Sequence, residues 1–181
     1  VRALDRRGIW DAVRGRLAWA ALVPMGALCL VLVYADYTLA GSARAAARYM
    51  ADELPMGAGR KVYLGHWGFQ YYMHERGMEH FDLLGTTVGP GDAIILPTNN
   101  MRQMEMPEVY GHQFAVSFPV FPWASTFDFR TGAGFYASAW GPLPYVIGPV
   151  PEETYVALLV DRAATIHDPR LDPETGLPVQ P

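Results

Sequence analysis

The chain has 181 residues, a net charge of −4 and 51% hydrophobic residues. Charged residues make up 18% and aromatics 13%, which excludes wholesale disorder, and the lack of excess positive charge argues against a nucleic-acid binder. A single cysteine, Cys29, rules out an intrachain disulfide framework and a cysteine-cluster zinc site.

The charge is unevenly spread. Residues 1–16 hold five arginines against Asp5 and Asp11, so this stub carries +3 and the rest of the chain −7. Residues 17–35, LAWAALVPMGALCLVLVYA, contain no charge, with Arg16 before them and Asp36 after. As a helix such a run is about 28 Å long, enough to cross a bilayer core. A cleavable signal peptide would have a shorter apolar region and a clearer cleavage site. A buried core helix would need apolar neighbours on every side. Pro24 and Gly26 are compatible with a membrane helix, the small residues around them admit a neighbouring helix, and Trp19, Tyr34 and Tyr37 suit the interfaces. The Arg-rich stub is then cytoplasmic and the chain beyond about residue 38 lies outside. With Val rather than Met at its head, the chain reads as a piece of a longer polytopic protein.

Residues 38–54 are Ala-rich with Leu39, Ala43, Ala46, Ala47, Met50 and Leu54 at helical spacing, which predicts a second helix stopped by Pro55 and Gly57. Residues 60–64 read as a strand, Gly65-His66-Trp67-Gly68 as a turn, and residues 69–76 as a helix capped by Gly77. Residues 93–96 predict a buried strand ended by Pro97, far enough along for a parallel crossover. The region 98–111, with Asn99, Asn100, Met101, Met104 and Met106, reads as a loop packing on its own domain or touching the membrane surface. Phe114, Val116, Phe118 and Val120 alternate as in a strand, and Pro119 and Pro122 place it at an edge. Further strands are expected at 126–129, 135–139, 145–147 and 154–160. The fold class is therefore α/β: a cytoplasmic stub (1–16), one transmembrane helix (17–37), a small extracytoplasmic α/β domain with additional strands (38–164) and a flexible tail (165–181).

The turn at 65–68 sits at the carboxyl end of a strand and the start of a helix, where ligands commonly bind and where free N–H groups suit a phosphate. Trp67 is placed to stack on a sugar face, with His66, Gly68 and Gln70 beside it as a candidate substrate site. The plainer reading is that the glycines only permit the turn and Trp67 belongs to the core. The five histidines (His66, His74, His80, His112, His167) lack ligand spacing and read as surface or turn residues. No metal, cofactor or catalytic residue is assigned. Asp128 reads as the outward residue of an alternating strand, Glu152 and Glu153 as a solvated turn, and the many aromatics as core.

Three strings, GRKVYLGHWGFQYYM (59–73), GDAIILPTNN (91–100) and GFYASAWGPLPY (134–145), together with the preceding apolar helix, resemble the C-terminal end of bacterial glycosyltransferase family 39, the dolichyl-phosphate-mannose protein mannosyltransferase-like group. The resemblance covers roughly residues 17–160. It implies a GT-C-type enzyme of the bacterial inner membrane that transfers a sugar from a polyprenyl-phosphate carrier on the non-cytoplasmic face. Its catalytic acid lies in the first outer loop of such enzymes, and no position here matches it, so this chain alone is expected to be inactive. The implied partners are the lipid bilayer, the remaining transmembrane helices and a polyprenyl-phosphate sugar donor. A single-pass anchored binding or assembly module is the rival reading, and a secreted domain with a cleaved signal a third.

Overall fold

The computed structural model describes residues 6–54, 59–82, 84–99, 110–136 and 140–166, with side chains from residue 19 onward. One helix, α1 (Arg6–Asp52), is followed by β1 (Lys61–Tyr63), α2 (Trp67–Glu75), β2 (Glu79–His80), β3 (Thr86–Val88), β4 (Ala93–Pro97) and β5 (Tyr110–Phe118). Then come β6 (Ala124–Ser125), β7 (Phe127–Asp128), β8 (Ala133–Gly134), β9 (Val146–Ile147), β10 (Glu153–Val160) and β11 (Ala164–Ile166). The result is one long apolar N-terminal helix and a mixed-sheet α/β domain.

The two helices expected at 17–37 and 38–54 are one. Nothing in the sequence between them breaks helical geometry, and α1 runs unbroken for 47 residues, about 70 Å. Its two parts have different surroundings. The stretch Trp19–Asp52 contains a window long and apolar enough to cross a membrane, with a mean hydropathy of 1.8 and only 6% of it buried, so that window is no core helix of this chain. From Ala35 onward the helix turns one face to the domain: Ala43, Ala46, Ala47 and Met50 are buried. The last carbonyls of α1, at Met50 and Ala51, each accept a hydrogen bond of 2.8 Å from Lys61 Nζ, a cation at the negative end of the helix dipole. Pro55 and Gly57, the expected stop, lie outside the described residues.

The central sheet has the order β2-β1-β4-β10-β5. The β1–β4 pair is parallel, as the strand–helix–strand spacing predicts, and the unexpected β2 also runs parallel to β1, whereas β10 runs antiparallel to both β4 and β5. Period-two alternation sorts the side chains onto two faces. Tyr63, Ile95, Tyr155 and Ala157 pack under α1 and α2 with Phe69 and Met73. Val62, Leu64, Ile94, Val156, Leu158 and Val160 form a second core with Phe81, Val88 and Ile166 on the other face. Burying one such side chain contributes about 1.5–3 kcal/mol. β5 is an edge strand, in keeping with its prolines just beyond.

Between β5 and β10 the chain forms a lobe of two short ladders, β6–β9 and β7–β8. The strand expected at 126–129 is shorter, and of the one expected at 135–139 residues 137–139 lie outside the described residues; Phe135 and Tyr136 follow β8, whose Gly134 N–H donates to the Leu143 carbonyl at 2.7 Å. Thr165 and Ile166, placed in the tail by composition, pair with β3; residues 167–181 are outside the described set, as is His167.

Candidate functional site

A cavity of about 380 Å³ opens where α1 meets the domain. Asp36, Leu39, Ala40 and Ala43 of α1 line one wall, and Trp67, Gly68 and Phe69 at the start of α2 line another. Asn99, Phe127, Tyr136, Glu153 and Tyr155 complete it. Small side chains on α1 leave the space, and five aromatic rings (Trp67, Phe69, Phe127, Tyr136 and Tyr155) give it a stiff apolar lining.

Trp67 is the pivot of this wall. Its backbone has φ +54°, the only left-handed non-glycine residue among those described, a conformation that costs a bulky residue roughly 1 kcal/mol. The turn expected at 65–68 therefore survives in backbone terms, although the helix begins at Trp67 rather than Phe69. Gly65 makes the turn possible: at φ +127°, a Cβ there would lie 2.8 Å from the Phe69 ring. Trp67 is 49% exposed, so it is not a core residue. Its ring meets Phe127 edge-on at 5.0 Å and lies 5.6 Å from Trp140 and 6.3 Å from Tyr136.

A buried polar cluster forms the floor. Asn99 Nδ2 donates to Glu153 Oε2 at 3.2 Å and to the Phe127 carbonyl at 3.2 Å, while Asn99 Oδ1 accepts from the Phe129 N–H at 3.1 Å. Trp140 Nε1 donates to the Asn99 carbonyl at 2.6 Å, which ties the aromatic wall to the floor. Arg130 grips Asp128 through Nε and Nη2, each at 3.0 Å, and reaches Glu153 Oε2 at 3.4 Å. Burial pushes the Glu153 carboxyl up to about 7, against the pull of Arg130 and Asn99 and with a further push from Asp128. Burial likewise raises the Tyr155 phenol, whose hydroxyl shares a 3.0 Å hydrogen bond with Ser42.

At the rim, Asp36 accepts hydrogen bonds from the Thr126 hydroxyl and, at 2.6 Å, from Tyr136 Oη. That bond, with burial and the Asp36 charge, pushes the Tyr136 phenol up to about 12. The helix is thus latched to the lobe by its first carboxylate beyond the apolar run.

Of the expected site residues, Trp67 and Gly68 line the cavity, and His66 and Gln70 do not. His66 precedes α2 without a side-chain capping hydrogen bond, and burial, with His80 nearby, lowers its imidazole. Asp128 and Glu153 correct the sequence expectation. Both are buried, because Arg130 and Asn99 satisfy them, where a solvated turn and an outward-facing position are expected. Asn99, at the start of the region read as a loop, is buried against its own domain; residues 100–109 are outside the described set. The aromatics divide: Phe69, Tyr63 and Tyr155 are core, while Trp123, Phe135 and Tyr136 are more than half exposed. Sequence reasoning missed Asn99, Tyr136, Glu153 and Asp36 as partners. The available signal was a carboxylate at the head of the apolar run of β10. Among the described residues, no group of three His, Cys, Asp or Glu side chains is arranged to hold a metal ion.

A scan against protein-family models, a search of curated proteins and a search of solved structures gave no match for this chain.

Proposed function

We propose that this chain is the C-terminal region of an integral-membrane glycosyltransferase that uses a polyprenyl-phosphate-linked sugar, and that its cavity holds a saccharide on the non-cytoplasmic face. The resemblance of the three strings (59–73, 91–100 and 134–145) suggests the reaction class. The observation that carries the site is the pairing of an aromatic wall with a polar floor at the point where α1 leaves its uncharged run. Ring faces of Trp67 and Phe127 suit the C–H faces of a sugar, and Asn99, Glu153 and the Tyr136 hydroxyl suit its hydroxyls.

The charge of the lining narrows the ligand. Its lining includes two carboxyl groups, Asp36 and Glu153, and, among the described residues, no Lys or Arg. A phosphate there would face the Asp36 carboxylate, while the nearby Arg130 is already engaged by Asp128 and Glu153. This lining favours the sugar ring over the carrier's phosphate as the occupant of the cavity. The chain supplies no catalytic group of its own to this reading. Its role is to position acceptor or donor sugar beside catalytic helices.

The test is Trp67→Ala in the intact membrane enzyme, with folding checked by circular dichroism. Sugar transfer falls about tenfold, matching the loss of roughly 1.4 kcal/mol of ring contact. Unchanged kinetics in a folded variant remove the site. A single-pass membrane-anchored binding module is the second reading, favoured by one observation: a helix long and apolar enough to cross a membrane runs directly into a folded domain, which is all that such a module needs. The reading frame upstream of Val1 discriminates, since the enzyme requires further apolar spans there.

A further inference from the structure

The lobe between β5 and β10 has a composition unlike the rest of the domain. Residues 119–150 carry only two charges, Asp128 and Arg130, and these two neutralise each other through paired 3.0 Å contacts. Uncharged segments normally hide their apolar side chains, yet this one exposes them. Trp123 is 62% exposed, Phe135 61%, Leu143 48% and Ile147 60%. Trp123 and Ile147 lie side by side across the β6–β9 ladder, and adjacent apolar exposure of this kind marks a contact surface.

The lobe's position says what covers it. It is tied to a single turn of α1. Tyr34 meets the Phe121 ring edge-on at 5.4 Å, Thr38 Oγ1 accepts from the Phe121 N–H at 2.9 Å, and Asp36 accepts from Thr126 and Tyr136. These anchors span about 6 Å of helix, at the point where the uncharged run of residues 17–35 ends. If the run occupies hydrocarbon, its end fixes the lobe at the level of the lipid headgroups. Trp123 directly follows the anchored segment, and its carbonyl accepts from the Gly148 N–H at 2.9 Å, which holds Ile147 alongside. Indole and aliphatic side chains favour that depth. The backbone sets a limit: ladders of two residues leave polar groups that need water or headgroups, so the lobe rests in the interface and not in the hydrocarbon.

We infer that the 119–150 lobe is a second membrane contact, a shallow interfacial foot that inserts Trp123, Ile147 and their apolar neighbours into the outer leaflet beside α1. The foot rests on the membrane reading of α1 used above. It would hold the cavity mouth at a fixed height and tilt over the lipid surface, which one helix alone leaves free to swing.

The test uses the full chain in vesicles of phosphatidylcholine and phosphatidylglycerol, with a nitroxide spin label at one cysteine at a time. The native Cys29, exposed on α1, reports the span. In a Cys29→Ser background, Trp123→Cys and Ile147→Cys report the foot. Tyr71→Cys, at an exposed position on α2, reports the aqueous side. All are surface positions, so the fold is retained, and the readout is the ratio of collisions with oxygen to collisions with a soluble nickel chelate. The expected order is residue 29 highest, then 123 and 147, then 71, with the foot about tenfold above residue 71. A ratio at 123 and 147 equal to that at 71 overturns the foot while a high ratio at 29 leaves the span standing. Shielding of 123 and 147 from both oxygen and nickel also overturns it, because protein and not lipid then covers the lobe. A low ratio at 29 itself means that the span, and with it the membrane reading, has failed.

Discussion

At the residue scale, Glu153 decides how the domain responds to pH. Its burial raises the folded value from 4.5 to about 7, so between those values the folded chain keeps a proton that the unfolded chain has released. Stability from the protonated acid is full below pH 4.5 and is lost as pH rises to about 7, by about 3 kcal/mol in all. Denaturant titrations across this range, on the chain in detergent, should show stability falling as pH rises. Glu153→Gln keeps the shape and the acceptor for Asn99 but has no proton to lose, so its stability should be flat over the same range. A wild-type profile that is also flat, or rises, contradicts the buried-acid account. The same side chain sits on the cavity floor, so a ligand hydroxyl meets an acid in mid-titration near neutral pH.

At the element scale, α1 is fixed to the sheet by smallness. Ala46 and Ala47 have no exposed surface, which lets the helix lie close over Tyr63, Ile95 and Tyr155. Three extra carbons at this seam have nowhere to go. Ala47→Leu should lower the unfolding free energy by about 1–3 kcal/mol through overpacking, read as an earlier midpoint in denaturant. Gly41→Ala on the same helix provides the contrast: nothing lies within 4 Å of the added carbon, and the gain in helix propensity should stabilise by about 0.5–1 kcal/mol. If both changes destabilise equally, the seam is not what holds the helix. Elsewhere the α1–α2 contact is polar at its edge, with Arg44 Nη2 donating to Tyr72 Oη at 2.9 Å and Arg76 paired with Asp52 at 2.9 Å. Both lie on the surface and contribute little beyond orientation.

At the scale of the whole molecule, one continuous helix joins an apolar stretch to a folded domain, with no flexible joint between them. The domain must therefore follow the helix in position and tilt. On the proposed topology, the Arg-rich stub stays on the cytoplasmic side and the domain lies outside. Protease added to spheroplasts should then degrade the chain beyond about residue 38 and leave a membrane-held N-terminal piece. Degradation only after the membrane is opened reverses the orientation. Asp36 lines the cavity, so on this topology the proposed saccharide site would sit at the lipid surface, where a sugar on a membrane carrier would be presented.

The local elements were largely legible in the sequence. The uncharged run of residues 17–35, the period-two strands and the turn at Gly65 depend on short-range pattern and chain geometry, which neighbouring residues alone determine. The site was only half legible. Trp67 and Gly68 could be named because a turn between strand and helix announces itself, whereas their neighbours His66 and Gln70 are not among the lining residues. Asn99 and Glu153 stand 54 positions apart and Arg130 lies 23 before Glu153, and whether a carboxylate is buried depends on whether such distant partners arrive to satisfy it. Local sequence set the strands and the apolar helix by their spacing and side-chain chemistry; only the packing of β7, β10 and α1 against one another made a charged residue affordable inside and left a hollow between them.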